Sequence, residues 1–151
     1  MSAPMSSQGL SAIAETAAPA SRPLRDGLLQ TDPPRLLGSA CRACSTRLFP
    51  ARDFCPACGS DDVEGGVPLA TAGTVYSFTV VRQAPPGRET PYSLAYIDLA
   101  DGVRVMAQVT GDPDALRIDM PVQLDIRPVG RRDGCDLIGY VFVPSLLPEA
   151  A

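Results

Sequence analysis

Apolar positions alternate with polar ones along the second half of the chain, with the period of two that a strand imposes on its two faces. Thr74 to Val81 is β-branched and aromatic and reads as a first strand entered at Gly73. Tyr92 to Leu99 reads as a second. The pair Asp101-Gly102 reads as a hairpin turn. Val103 to Thr110 reads as a third strand, placing Val103, Val105, Ala107 and Val109 on one face. Val122, Leu124 and Ile126 alternate in a fourth strand, and Leu137 to Val143 makes a fifth after the turn Arg131-Arg132-Asp133-Gly134. Between the third and fourth strands, Gly111 to Leu116 reads as a short capped helical turn. Five such strands fit a mostly β fold, a partly open Greek-key barrel of the OB type. Strand count alone leaves an SH3-like barrel or a small sandwich open.

The first half lacks this regularity. Ser21 to Gln30 reads as one short helical segment, stopped by Thr31-Asp32-Pro33-Pro34. Thr46 to Phe54 reads as a small hairpin, with Phe49 and Phe54 packed beside whatever the flanking cysteines hold. Gly59 to Gly66 reads as an acidic linker. The expected organisation is an arm with a short helix over residues 1–33, a small metal-stapled unit over 34–64, a barrel over 65–144 and a tail over 145–151.

Cysteine spacing supplies the chemistry of that small unit. Cys41-Arg42-Ala43-Cys44 and Cys55-Pro56-Ala57-Cys58 are two C-x-x-C knuckles separated by ten residues. Each knuckle can aim two thiolates at one ion, and four sulfurs satisfy tetrahedral zinc. Gly59 follows the second knuckle where a left-handed residue is often needed, and Ser45 follows the first. The expected cofactor is a structural zinc ion, for a closed four-sulfur set keeps no open position for a reacting water. Iron on the same four sulfurs, or disulfides, are the weaker readings.

Composition narrows the function. There are 13 basic residues, all arginine, against 17 acidic ones, and the formal net charge is −4. Dedicated nucleic-acid binders usually carry the opposite balance. Tyr76, Phe78, Tyr92 and Tyr96 still permit a stacking platform for single-stranded nucleic acid, which is the alternative function. The chain contains no histidine, which removes histidine-activated nucleophiles and histidine bases together. Cys135 lies away from the knuckles with no such base to activate it. No catalytic residue is assigned. No apolar run approaches a membrane span, and residues 1–20 have neither a charged start nor an apolar stretch of the secretory kind, so a cytoplasmic location is expected.

Three segments carry a resemblance: LLGSACRACSTRLFPARDFCPACGSDDVE (Leu36 to Glu64), GTVYSFTVVRQAPPG (Gly73 to Gly87) and YIDLADGVRVMAQVTG (Tyr96 to Gly111). Together they resemble the zinc-ribbon/OB-fold proteins that accompany thiolase-superfamily and other acyl-CoA enzymes. The resemblance implies a non-catalytic subunit that docks on a thiolase-like or hydratase partner, orders its active-site region and contacts coenzyme A. In that setting Arg35, Arg42, Arg47 and Arg52 on the ribbon, and Arg88 on the proline-stiffened loop Gln83 to Pro91, become candidates for holding the coenzyme's phosphates or the partner. The plainer reading of the ribbon arginines is a solvated face that offsets thiolate charge or forms ion pairs.

Overall fold

A computed structural model describes residues 20–145; residues 1–19 of the arm expected over 1–33 and the end of the tail lie outside them. Ten strands follow in order: β1 (Ser21–Pro23), β2 (Leu29–Thr31), β3 (Pro34–Cys41), β4 (Arg47–Leu48), β5 (Val63–Pro68), β6 (Ala72–Val81), β7 (Tyr92–Leu99), β8 (Arg104–Val109), β9 (Pro121–Arg132) and β10 (Cys135–Pro144). No α-helix occurs among the described residues; Pro113–Ala115 forms a single 3-10 turn, capped by the Asp112 carboxylate accepting from the Asp114 amide at 2.9 Å.

Strands β6 to β10 close the barrel of OB type. Antiparallel ladders join β6 to β7, β7 to β8, β9 to β10 and β6 to β9. The ring shuts through a parallel contact of β8 with β10, a single register pair of Phe142 with Val109. The alternation read from the sequence is the inward face: Val103, Val105, Ala107 and Val109 are all buried. A bulge between Val75 and Ser77 interrupts the first ladder, so Val75 is fully buried while the adjacent Tyr76 is 52% exposed.

The metal-binding half is built around β3, which pairs with β2, β4 and β5. Its sheet packs on the barrel, for Leu29 and Leu36 belong to the same buried cluster as Ile97, Val105 and Phe142. Gly38 shows how tightly β3 meets β4: a Cβ there would collide with the Leu48 carbonyl oxygen.

Three expectations need correction. Ser21 to Gln30 is two short strands, not a helical segment. Ten residues containing Pro23 and Gly27 (φ 72°) nucleate a helix poorly, whereas the free edge of β10 pairs with β1 in parallel and burial of Leu28 and Leu29 anchors β2. Val63 to Gly66, read as the end of a linker, belongs to β5, which pairs with β3 opposite Leu37 to Cys41. The residues between the knuckles make no hairpin of their own: Arg47 and Leu48 pair with Ala40 and Ser39 of β3, and the Arg52 amide donates to buried Ser39 Oγ at 3.0 Å.

Candidate metal centre and barrel surface

Each cysteine knuckle is a closed turn. The Ser45 amide donates to the Cys41 carbonyl at 2.9 Å and the Gly59 amide to the Cys55 carbonyl at 2.8 Å. Both turns end in the left-handed region, with φ of 63° at Ser45 and 77° at Gly59. Serine thus occupies the conformation that glycine takes in the second knuckle. The four sulfurs of Cys41, Cys44, Cys55 and Cys58 lie within 4.8 Å of one another. Cys41 Sγ is 3.6 Å from Cys58 Sγ, and Cys44 Sγ is 3.6 Å from Cys55 Sγ. A zinc–sulfur bond of about 2.3 Å gives a tetrahedral edge of about 3.8 Å, so the residues fit a zinc ion. Such separations are far beyond a disulfide bond. Cys135 is not part of the cluster.

The thiols differ in readiness to ionise. Hydrogen bonds from the Thr46 side chain and amide draw Cys44 down to about 6. At Cys58 the Ser60 amide favours the thiolate, but hydrogen bonding with Cys41 and Cys44 outweighs it and the thiol is pushed up to about 12. One sulfur therefore holds negative charge first, and its neighbours surrender their protons as a cation replaces them.

Phe49, expected with Phe54 beside the metal, finds its aromatic partner on the barrel. It leaves the ribbon to meet Tyr140 of β10 edge-to-face, with ring centroids 5.7 Å apart, while Phe54 is 52% exposed. Tyr140 in turn donates to the Met106 carbonyl of β8 at 3.1 Å. Arg47 makes a second tie to the barrel: it approaches Asp101 Oδ2 at 3.6 Å, and that oxygen accepts from the Ala70 amide at 2.8 Å.

The candidate arginines therefore have different surroundings. Arg35 donates to the Leu69 carbonyl at 3.2 Å and Arg42 pairs with Asp62 at 3.0 Å. Arg47 is engaged with Asp101 and the Pro68 carbonyl. The Arg52 side chain has no hydrogen-bonded or ionic partner among the described residues. Arg88 lies over the Tyr92 ring, 5.0 Å from its centroid. The structure does not gather these five into one cluster: four lie on the ribbon and Arg88 on the loop between β6 and β7.

Of the aromatic platform, Tyr76, Phe78 and Tyr96 are exposed, but Arg104 lies 3.5 Å over the Tyr76 ring. Arg104 also forms a two-point ion pair with Asp98, whose carboxyl it holds below the usual carboxylate range. Arginine thus occupies a face of both Tyr76 and Tyr92, leaving less open aromatic surface for stacking bases. Sequence reasoning missed Met106, 56% exposed, and the groove beside it. The signal was present: Arg104, Met106 and Gln108 are out of phase with the inward valines.

Comparison with known proteins places this architecture. Residues 31–64 match the ChsH2 rubredoxin-like zinc ribbon domain and residues 66–127 match the ChsH2 C-terminal OB-fold domain. The chain is 40% identical over 110 residues to benzoylsuccinyl-CoA thiolase subunit BbsA of Thauera aromatica, covering 72% of this chain and 76% of that protein. It is 37% identical over 120 residues to a DUF35 domain-containing scaffold protein of Pyrococcus furiosus, covering 76% and 87% respectively. A solved Ltp2-ChsH2(DUF35) aldolase structure superposes with a TM-score of 0.62 at 38% identity, covering 73% of this chain and 84% of that one. With its cysteine cluster, its five-stranded ring and these relatives, the chain belongs to the ChsH2-type family of zinc-ribbon/OB-fold proteins.

Proposed function

We propose that this protein is the non-catalytic, zinc-stapled subunit of an acyl-CoA enzyme whose catalytic partner is of the thiolase superfamily. The observation that carries the reading is the closed four-sulfur cluster in a chain without histidine, joined to 40% identity with a thiolase subunit. Cys41, Cys44, Cys55 and Cys58 hold the ion. It supplies no reacting water; it fixes the ribbon against the barrel. The work of the chain is then to present rigid surface to another subunit. Of the candidate arginines, Arg35, Arg52 and Arg88 lack a carboxylate partner among the described residues; Arg35 is bonded to the Leu69 carbonyl, so Arg52 and Arg88 are best placed to meet a phosphate of coenzyme A or an acidic group of the partner. No helix among the described residues is long and apolar enough to cross a membrane. A thiol cluster of this kind suits a reducing compartment, and we place the protein in the cytoplasm.

The test is reconstitution. The purified chain alone should contain one zinc per chain and leave acyl-CoA thioesters unconverted. Turnover should appear when the thiolase-superfamily subunit of the same host is added, in a complex of fixed stoichiometry by light scattering. Enzyme-like conversion by the isolated chain would refute the proposal.

A further inference from the structure

Two hollows on the barrel share the side chains of Leu94 and Met106 and form one continuous surface. The smaller, of about 220 Å³, is walled by Phe78, Tyr96 and Met106. The larger, a groove of about 400 Å³, runs along β8 past Val129 to Arg88 and Arg127. Exposed apolar side chains concentrated on adjacent strands mark an interaction site more often than scattered ones do. The charge pattern says what kind. Although the chain carries 17 acidic residues, none lines either hollow, while two arginines line the groove. Arg127 is held by Asp125 of its own strand, and Arg88 has no carboxylate partner among the described residues. Main-chain geometry adds a third feature. The Leu99 amide bonds to the Val103 carbonyl, and the alternation this sets turns the Met106 and Gln108 amides away from β7. On that side β8 meets β10 only at Val109, so these two donors face the groove without a strand partner.

We infer that this surface, centred on Tyr96 and Met106 and ending at Arg88, is where an extended, acidic-apolar segment of the partner enzyme's polypeptide docks. The inference rests on the functional reading above and assigns that role to one face. Aromatic and methionine side chains in the hollow receive the segment's apolar anchors. On the side of β8 turned from β7, where Tyr140 already takes the Met106 carbonyl, the Met106 and Gln108 amides donate to its backbone, and Arg88 meets its carboxylates.

The experiment measures affinity of the full zinc-loaded chain for the purified thiolase-superfamily subunit of the same host, together with amide exchange of the complex. Tyr96→Glu and Met106→Glu should each weaken binding about 30-fold or more, as buried anchors do. Arg88→Glu should weaken it about tenfold, with a steeper salt dependence lost. Arg132→Glu, at the far tip of the β9–β10 hairpin, should stay within about twofold, as a surface charge outside an interface does. Protection of the Met106 and Gln108 amides in the wild-type complex should accompany these losses, and it decides the matter without any variant should a glutamate disturb folding. Wild-type binding that all three variants retain, with no protection along β8, would overturn the surface and leave the functional reading intact. Failure of the wild-type chain to bind the subunit would remove the functional reading and the surface with it. Loss, in the same variants, of self-association, of coenzyme A binding or of oligothymidylate binding would overturn the assignment in favour of that occupant.

Discussion

Single side chains here act as joints between parts that the chain order keeps apart. Tyr140 touches Phe49 with its ring and the Met106 carbonyl with its hydroxyl, so one phenol links ribbon, β10 and β8. Burial raises its ionisation above the usual tyrosine range. The folded state therefore retains the phenolic proton more strongly than the unfolded chain. The resulting contribution is complete below about pH 10 and is lost as pH rises through the shifted value. Tyr140→Phe should flatten the alkaline limb of stability measured by denaturant titration, and cost about 1 kcal/mol at neutral pH through the lost hydrogen bond. Asp101 is a second joint. Its replacement by alanine leaves the Ala70 amide without its acceptor and should cost about 1–2 kcal/mol, more than replacement by asparagine, which keeps an acceptor there. At the cluster, Cys55→Ser should abolish zinc binding by elemental analysis and lower the unfolding temperature by on the order of 10 °C, because the metal's binding energy is folding energy.

At the level of elements, the inter-knuckle loop is the ribbon's attachment to the barrel. It pairs with β3, places Arg47 by Asp101 and sends Phe49 to Tyr140. Phe49→Ala should destabilise the fold by about 2 kcal/mol, below the full cost of a buried phenylalanine because the ring is half-buried. Amide exchange should rise on both sides of the joint. The strands of the barrel were legible because each has one wet and one dry face, as in Val103 to Val109. The zinc cluster was legible because thiolate geometry restricts its spacing. β1, β2 and β5 were not, for each is six residues or fewer and owes its form to an edge supplied from elsewhere. Local propensity holds no record of such a partner. The same limit explains Phe49: it lies in sequence between the two cysteine knuckles, but its neighbour in space comes from a strand some ninety residues later.

Viewed whole, ribbon and barrel share one core. Leu29 and Leu36 are buried with Ile97, Val105 and Phe142, and no layer of solvent separates the two sheets at that point. Calorimetry of the zinc-loaded chain should accordingly show one transition, with calorimetric and van't Hoff enthalpies that agree. The barrel's own closure is narrow. The ring is shut by the Val109–Phe142 pair, flanked by the Thr110 amide donating to the Phe142 carbonyl at 2.9 Å. A barrel fastened so narrowly is one breath away from an open sheet, and an open sheet offers its raw margin to other chains. Thr110→Pro, which deletes that donor, should leave the zinc content intact yet turn a well-behaved solution into one that clouds on standing at modest warmth.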